Sequence, residues 1–212
     1  MKLVATGLCA ALLAGCASAP PGPTMTSTST STSTAAPSGS PPQQQLAPYR
    51  PSFDAAGRLS VNYRKDGNPE SLNGKFSWSQ TPQRIDVRLS SALATVATIS
   101  VTPESATLVQ ANEAPRVAKD IDSLSAQTLG WSLPVSGLRD WLQGYATGAD
   151  GQRFAASPGK NSVLTPDGWR LRFVSWQDDG AARLVPKRID AERNAGSAAD
   201  ELAIRIVIDP QG

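Results

Sequence analysis

Beyond about residue 52 the chain alternates apolar and polar side chains over long stretches, the signature of strands buried on one face. In GRLSVNYR (57–64), Leu59, Val61 and Tyr63 fall on one side and Ser60 and Asn62 on the other. RKDGNPES follows, where Asp66-Gly67 is a hairpin signal. The next run, LNGKFSWSQ, sets Leu72, Phe76 and Trp78 against Lys75 and Ser77, so the two strands are expected to pair antiparallel. RIDVRLS repeats the pattern with Ile85, Val87 and Leu89 against Asp86 and Arg88, and ATVATISV offers Ala97, Ile99 and Val101. A short strand over Ala106 to Val109 is predicted after TPES.

The period then lengthens. KDIDSLSAQTLG carries Ile121, Leu124, Thr128 and Leu129 at helical spacing, with acidic residues at its start and Gly130 as a stop. VSGLRDWLQG predicts a second helix, with Ser136 as its cap, Leu138, Trp141 and Leu142 on one side and Gly144 as terminator. Strand patterns return in NSVLTPDG and in WRLRFVSWQ, where Trp169, Leu171 and Phe173 alternate with Arg170 and Arg172. A hairpin is predicted at Asp178 to Ala181. RLVPKRIDAE and ELAIRIVID, joined by RNAGSAAD, close the sheet, the last placing Leu202, Ile204, Ile206 and Ile208 on one face.

The sum is a mainly β fold with inserted helices (α+β), an antiparallel meander of eight or more strands. With so few helices, the sheet covers its apolar face by curling around them. Periodicity places Leu59, Val61, Phe76, Trp78, Val87, Ile99, Trp141, Leu171 and Ile204 on the inner side, and leaves open whether they pack a solid core or line a cavity for acyl chains. The indole N–H groups of Trp78 and Trp141 need partners, which suggests a place near a polar mouth.

Composition changes the picture at the N-terminus. Met1 and Lys2 precede an apolar run, Leu3 to Leu13, too short to span a bilayer, and residues 1–15 read as a secretory signal. Leu13-Ala14-Gly15-Cys16 resembles the lipobox of bacterial lipoproteins, which makes Cys16 a lipid anchor. Residues 16–51, with TSTSTSTST from Thr26 to Thr34, cannot bury a core and read as a disordered Ser/Thr/Pro tether, leaving 52–212 as one domain.

Charge and candidate chemistry mostly exclude. The net charge is +2 with cations and anions interspersed, so no nucleic-acid footprint is expected. There is no histidine, and the one cysteine left after signal removal serves the anchor, so no metal, cofactor or nucleophilic site is expected. Asp178-Asp179 is an adjacent carboxylate pair, and its place beside Gly180 suits a solvated turn. A lipid-anchored envelope hydrolase and a purely structural lipoprotein stand as alternatives to a carrier of acyl chains.

FDAAGRLSVNY (53–63), GKFSWSQ (74–80), LSSALATVATISV (89–101), LPVSGLRDWLQG (133–144), DGWRLRF (167–173) and VPKRID (185–190) together resemble the LolB family in order and spacing. The resemblance implies an unclosed half-barrel sheet with helices covering an apolar cavity. It implies an outer-membrane lipoprotein of a Gram-negative bacterium, on the periplasmic face, which takes acylated lipoproteins from a LolA-like carrier and inserts them into the membrane without covalent chemistry. Ala17, where an aspartate would favour the inner membrane, agrees with that location. The family's projecting loop leucine aligns with Leu93, although Ala92 and Ala94 replace the usual Pro and Gly, and the chain ends in IVIDPQG without the tryptophan many relatives carry. Arg170 and Arg172 are candidates for docking an acidic carrier, and a monomer is expected.

Overall fold

The computed structural model describes residues 44–65, 67–91, 94–129, 131–194 and 201–210. Among them the chain forms β1 (Phe53–Lys65), β2 (Asn68–Gln80), β3 (Ile85–Ser90), β4 (Thr95–Val101), β5 (Ala106–Gln110) and β6 (Arg116–Ala118). Helices α1 (Ile121–Leu129) and α2 (Val135–Trp141) follow, then β7 (Tyr145–Thr147), β8 (Arg153–Ala155), β9 (Ser162–Leu164), β10 (Arg170–Asp178), β11 (Leu184–Asn194) and β12 (Glu201–Ile208). Ten strands make one antiparallel sheet in the order β6-β5-β4-β3-β2-β1-β12-β11-β10-β9, and β7 and β8 form a separate pair. The chain meanders out from β1 to β6, passes through the helices and the β7–β8 hairpin, re-enters at β9 and meanders back until β12 pairs with β1. The sheet stays open, with β6 and β9 as its edges.

Alternation settles which face is inside. Along β12, Leu202, Ile204, Ile206 and Ile208 are buried and Glu201 and Arg205 exposed, and β3 buries Ile85, Val87 and Leu89 while Arg88 faces water. The β1–β2 register pairs Lys65 with Asn68, and Gly67 between them lies at φ 80°, while Asp66 of the expected hairpin signal lies outside the described residues. Gly57, deep in β1, is required by close approach, since a Cβ there would collide with the Val207 carbonyl of the neighbouring strand.

The start of α2 departs from expectation, whereas the acidic start of α1 does not. Asp120 caps α1, accepting the N–H groups of Asp122 at 3.1 Å and Ser123 at 3.2 Å. Ser136 does not cap α2: it lies within the helix, the cap position is Pro134, and the Ser136 hydroxyl donates to Asp122 Oδ2 at 2.8 Å. Gly144, at φ 85°, ends the segment as predicted and leaves room for the Leu46 side chain.

The folded unit begins earlier than residue 52. Residues 44–51 form a strap packed on the domain: Ala47 N–H donates to Leu184 O at 2.8 Å, and Gln143 brackets Arg50 by accepting its N–H at 2.8 Å and donating to its carbonyl at 3.0 Å. Tyr145 hydroxyl donates to Ala47 O, and the Arg153 guanidinium sits over both Tyr49 and Tyr145. The strap buries the strand end that holds Gln80, whose amide faces the carbonyls of Arg50 and Pro51.

Candidate functional site

The inner face is continuous. Leu59, Val61, Phe76, Trp78, Val87, Ile99, Trp141, Leu171 and Ile204 are all buried and belong to one apolar cluster with both helices. Four of them, Leu59, Phe76, Trp78 and Val87, border an internal void together with Leu89 and Ile206 of the sheet and Leu133, Leu138 and Leu142 of the helical segment. Its volume is about 20 Å³, room for about one water and far below the roughly 300 Å³ of the smallest ordinary ligand pockets. The interior is therefore filled in this conformation. Val61, Ile99, Trp141, Leu171 and Ile204 are core residues away from the void.

Trp78 does not sit at a polar mouth. It is 2 % exposed, and its indole N–H donates to Gln80 Oε1 at 3.0 Å beneath the strap. Trp141 is buried edge-on against Trp169, with ring centres 5.7 Å apart.

The two helices are joined by one carboxylate. Asp122 of α1 accepts the Val135 N–H at 3.2 Å and the Ser136 hydroxyl at 2.8 Å, both in α2, so it serves the start of a helix that lacks its own side-chain cap. Burial raises its pKa, and the Ser136 hydrogen bond only partly offsets that. The acidic start of α1 was legible in the sequence, but the division of labour between Asp120 and Asp122 was not. Leu138 and Leu142 carried a signal in their shared helical face, whereas Leu133 lies between helices and had none.

The outward face is charged. Asp190 on β11 is ringed by Arg188 at 2.7 Å, Arg205 at 3.2 Å and Arg172 at 3.5 Å. Burial opposes its ionisation, yet the hydrogen bonds and charges of Arg188 and Arg205 prevail and hold its carboxyl below the ordinary value. Arg172 is thus already paired, while Arg170 is exposed at the start of β10. Asp178 and Asp179 shape the β10–β11 turn: Asp178 accepts the N–H of Gly180 at 2.6 Å, and Asp179 accepts that of Ala181 at 2.9 Å and the Arg183 guanidinium at 2.8 Å. No group of three or more metal-ligating side chains occurs among the described residues. Cys16 and Leu93 lie outside the described residues; Leu93's flanks are described, and Ser91 N–H donates to Ala94 O at 2.8 Å.

Residues 51–210 match the model of the family described as outer membrane lipoprotein LolB. The chain belongs to the LolB family. Similar proteins include the outer-membrane lipoprotein LolB of Cupriavidus necator, 43% identical over 157 residues, spanning 73% of this chain and 78% of that one. That of Cupriavidus taiwanensis is 42% identical over 161 residues, with 73% and 78% covered. The LolB of Bordetella petrii is 31% identical over 194 residues, covering 90% of this chain and 86% of its own. LolB is a family of outer-membrane lipoproteins and not of enzymes, which removes the hydrolase alternative. The LolB match starts at residue 51, so most of the strap precedes it.

Proposed function

We propose that this protein, anchored through Cys16 on the periplasmic face of the outer membrane, receives acylated lipoproteins from a LolA-like carrier into the space between sheet and α2, and inserts them into that membrane. The observation that carries the reading is the wall of the internal void, apolar throughout and drawn from both the sheet and the helical segment. An acyl chain of about 14 to 16 carbons loses about 11 to 13 kcal/mol if exposed to water, so it has to pass between partners under cover. A void of about 20 Å³ cannot hold one, so the helical segment has to lift from the sheet on loading. The segment is suited to lifting, since α2 is a seven-residue helix with no side-chain cap of its own, held at its start by Asp122.

Direction comes from rising affinity, from carrier to this protein to membrane, since transfer needs no covalent step. Arg170 is the candidate for meeting the carrier, and Leu93 for entering the bilayer interface, where burying a leucine contributes about 1.5 to 3 kcal/mol. That is enough to orient the interior toward lipid and too little to anchor a protein.

The test mixes the full chain carrying Cys16→Ser with carrier loaded with a triacylated lipoprotein. Cargo should move onto this protein, and Leu93→Glu should accept cargo but fail to pass it to liposomes. Cargo that stays on a competent carrier contradicts the reading.

A further inference from the structure

The outward face of the sheet concentrates positive charge at one place. Arg58 on β1, Lys75 on β2 and Arg205 on β12 come from three adjacent strands and, with Ser60, Asn73 and Ser91, line an open groove of about 330 Å³. Arg58 and Lys75 stand directly opposite each other in the β1–β2 register, an arrangement of like charges that destabilises an antiparallel pair. No ion pair or hydrogen bond of their side chains with the described residues relieves it. Asp190, on β11 beside Arg205, already meets three arginines, Arg205 among them. Asp86, the outward carboxylate of β3, is held by Arg84 at 2.6 Å and Ser100 at 2.6 Å. Arg58 and Lys75 thus stay uncompensated among the described residues, while Arg205 shares Asp190 with two other arginines.

The groove also has a place. Lys75 pairs with Ser90, and Ser91 forms part of the wall, so the groove lies at the strand end that carries the loop of Leu93. The strap meets Leu184 at the opposite end of the strands. Strand β1, with 13 residues, is about 43 Å long, and the roughly 28 residues from Cys16 to Gln44 stretch to about 95 Å, so the anchor permits the loop end to face lipid.

We propose that this groove seats the phosphate of an anionic phospholipid headgroup at the bilayer surface. The guanidinium fork of Arg58 matches a phosphate bidentately, and Lys75 adds a compact charge beside it. An open groove on an exposed sheet face admits a headgroup without any movement of the fold. With the Ser90–Ser91 end of β3 toward lipid, the groove lies at the level of the headgroup layer. The inference rests on the reading above only for which end faces the membrane.

The test uses the full chain with Cys16→Ser, so that no acyl group holds it, and vesicles of phosphatidylcholine alone or of phosphatidylcholine and phosphatidylglycerol in a three-to-one ratio. The parent should partition onto the anionic vesicles and be released by salt. Arg58→Ser/Lys75→Ser should bind them about tenfold or more weakly, from about fivefold per cation at an anionic surface. Arg116→Ser/Lys119→Ser, at the β6 edge of the sheet, removes the same charge and should bind nearly as the parent does. Equal loss in both double variants, or none in the first, overturns the proposal. So does an Arg58→Ser/Lys75→Ser protein that binds vesicles normally but no longer takes cargo from the carrier, since the groove would then meet the carrier. Binding of inorganic phosphate that the double variant abolishes with vesicle partitioning intact also overturns it. If the parent itself takes no cargo while the charge-selective binding holds, the transfer reading falls and the groove stands.

Discussion

The two faces of the central strands are built from alternating residues of the same segments, yet they are governed by different constraints. Phe76 and Trp78 of β2 point into a filled interior, where volume and shape decide what is tolerated. Lys75 and Ser77, between and beside them, point to water, where packing decides almost nothing. The inner face is therefore explained by stability alone, and its capacity to take a ligand depends on movement of the helical segment. The outer face has no such explanation for Arg58 opposite Lys75, because charge repulsion there weakens the fold. A like-charge pair that costs stability and has no counter-charge among the described residues points to something outside the molecule.

Mutation can break or sharpen that contrast. Trp78→Ala should cost about 3 to 5 kcal/mol in denaturant unfolding, because it opens a cavity and leaves Gln80 without its indole donor. Ser77→Ala, the next residue along, should stay within about 0.5 kcal/mol. Comparable losses at both would erase the distinction between faces. Gly57→Ala should cost about 1 to 3 kcal/mol, since the added methyl meets the Val207 backbone and no side-chain rotation relieves it. A neutral result would mean that β1 and β12 part more easily than their register suggests.

Asp122→Ala, which removes the carboxylate shared by the Val135 N–H and the Ser136 hydroxyl, should cost about 1 to 2 kcal/mol. The pH dependence has a definite sign. Burial raises the folded pKa of Asp122 above its ordinary 3.8, so between those two values the fold binds more protons than the unfolded chain. Its contribution therefore favours the fold at low pH and weakens as pH rises through that window, then stays level. Asp122→Asn should remove this slope from a plot of the denaturation midpoint against pH, and an unchanged slope would assign it elsewhere. The smallest expected effect is Lys75→Ser, within about 0.5 kcal/mol and toward greater stability, measured in the same unfolding experiment.

Much of the architecture was legible because burial on one face imposes a two-residue period that survives in the sequence, as in Leu202, Ile204, Ile206 and Ile208. Strands of three residues, such as β7 and β8, are too short to show it. The strap at 44–51 escaped for another reason: it docks through backbone hydrogen bonds and Tyr49 under Arg153, so its glutamines and prolines read as more tether. Periodicity identified the residues of the interior but not their packing, which depends on how far Leu133, Leu138 and Leu142 approach the sheet. The basic groove was hidden because residues 58, 75 and 205 become neighbours only through the register of β2, β1 and β12.

The central claim is that acyl chains enter between sheet and helices, and Phe76 and Ser77 test it side by side. A photo-crosslinking amino acid placed at either position, in the full chain with Cys16→Ser, is irradiated while a loaded carrier hands over a triacylated lipoprotein. The account predicts crosslinks to cargo from position 76 and none from position 77. Crosslinks from 77 without any from 76 would mean that cargo travels over the outer face and that the interior is a permanent core.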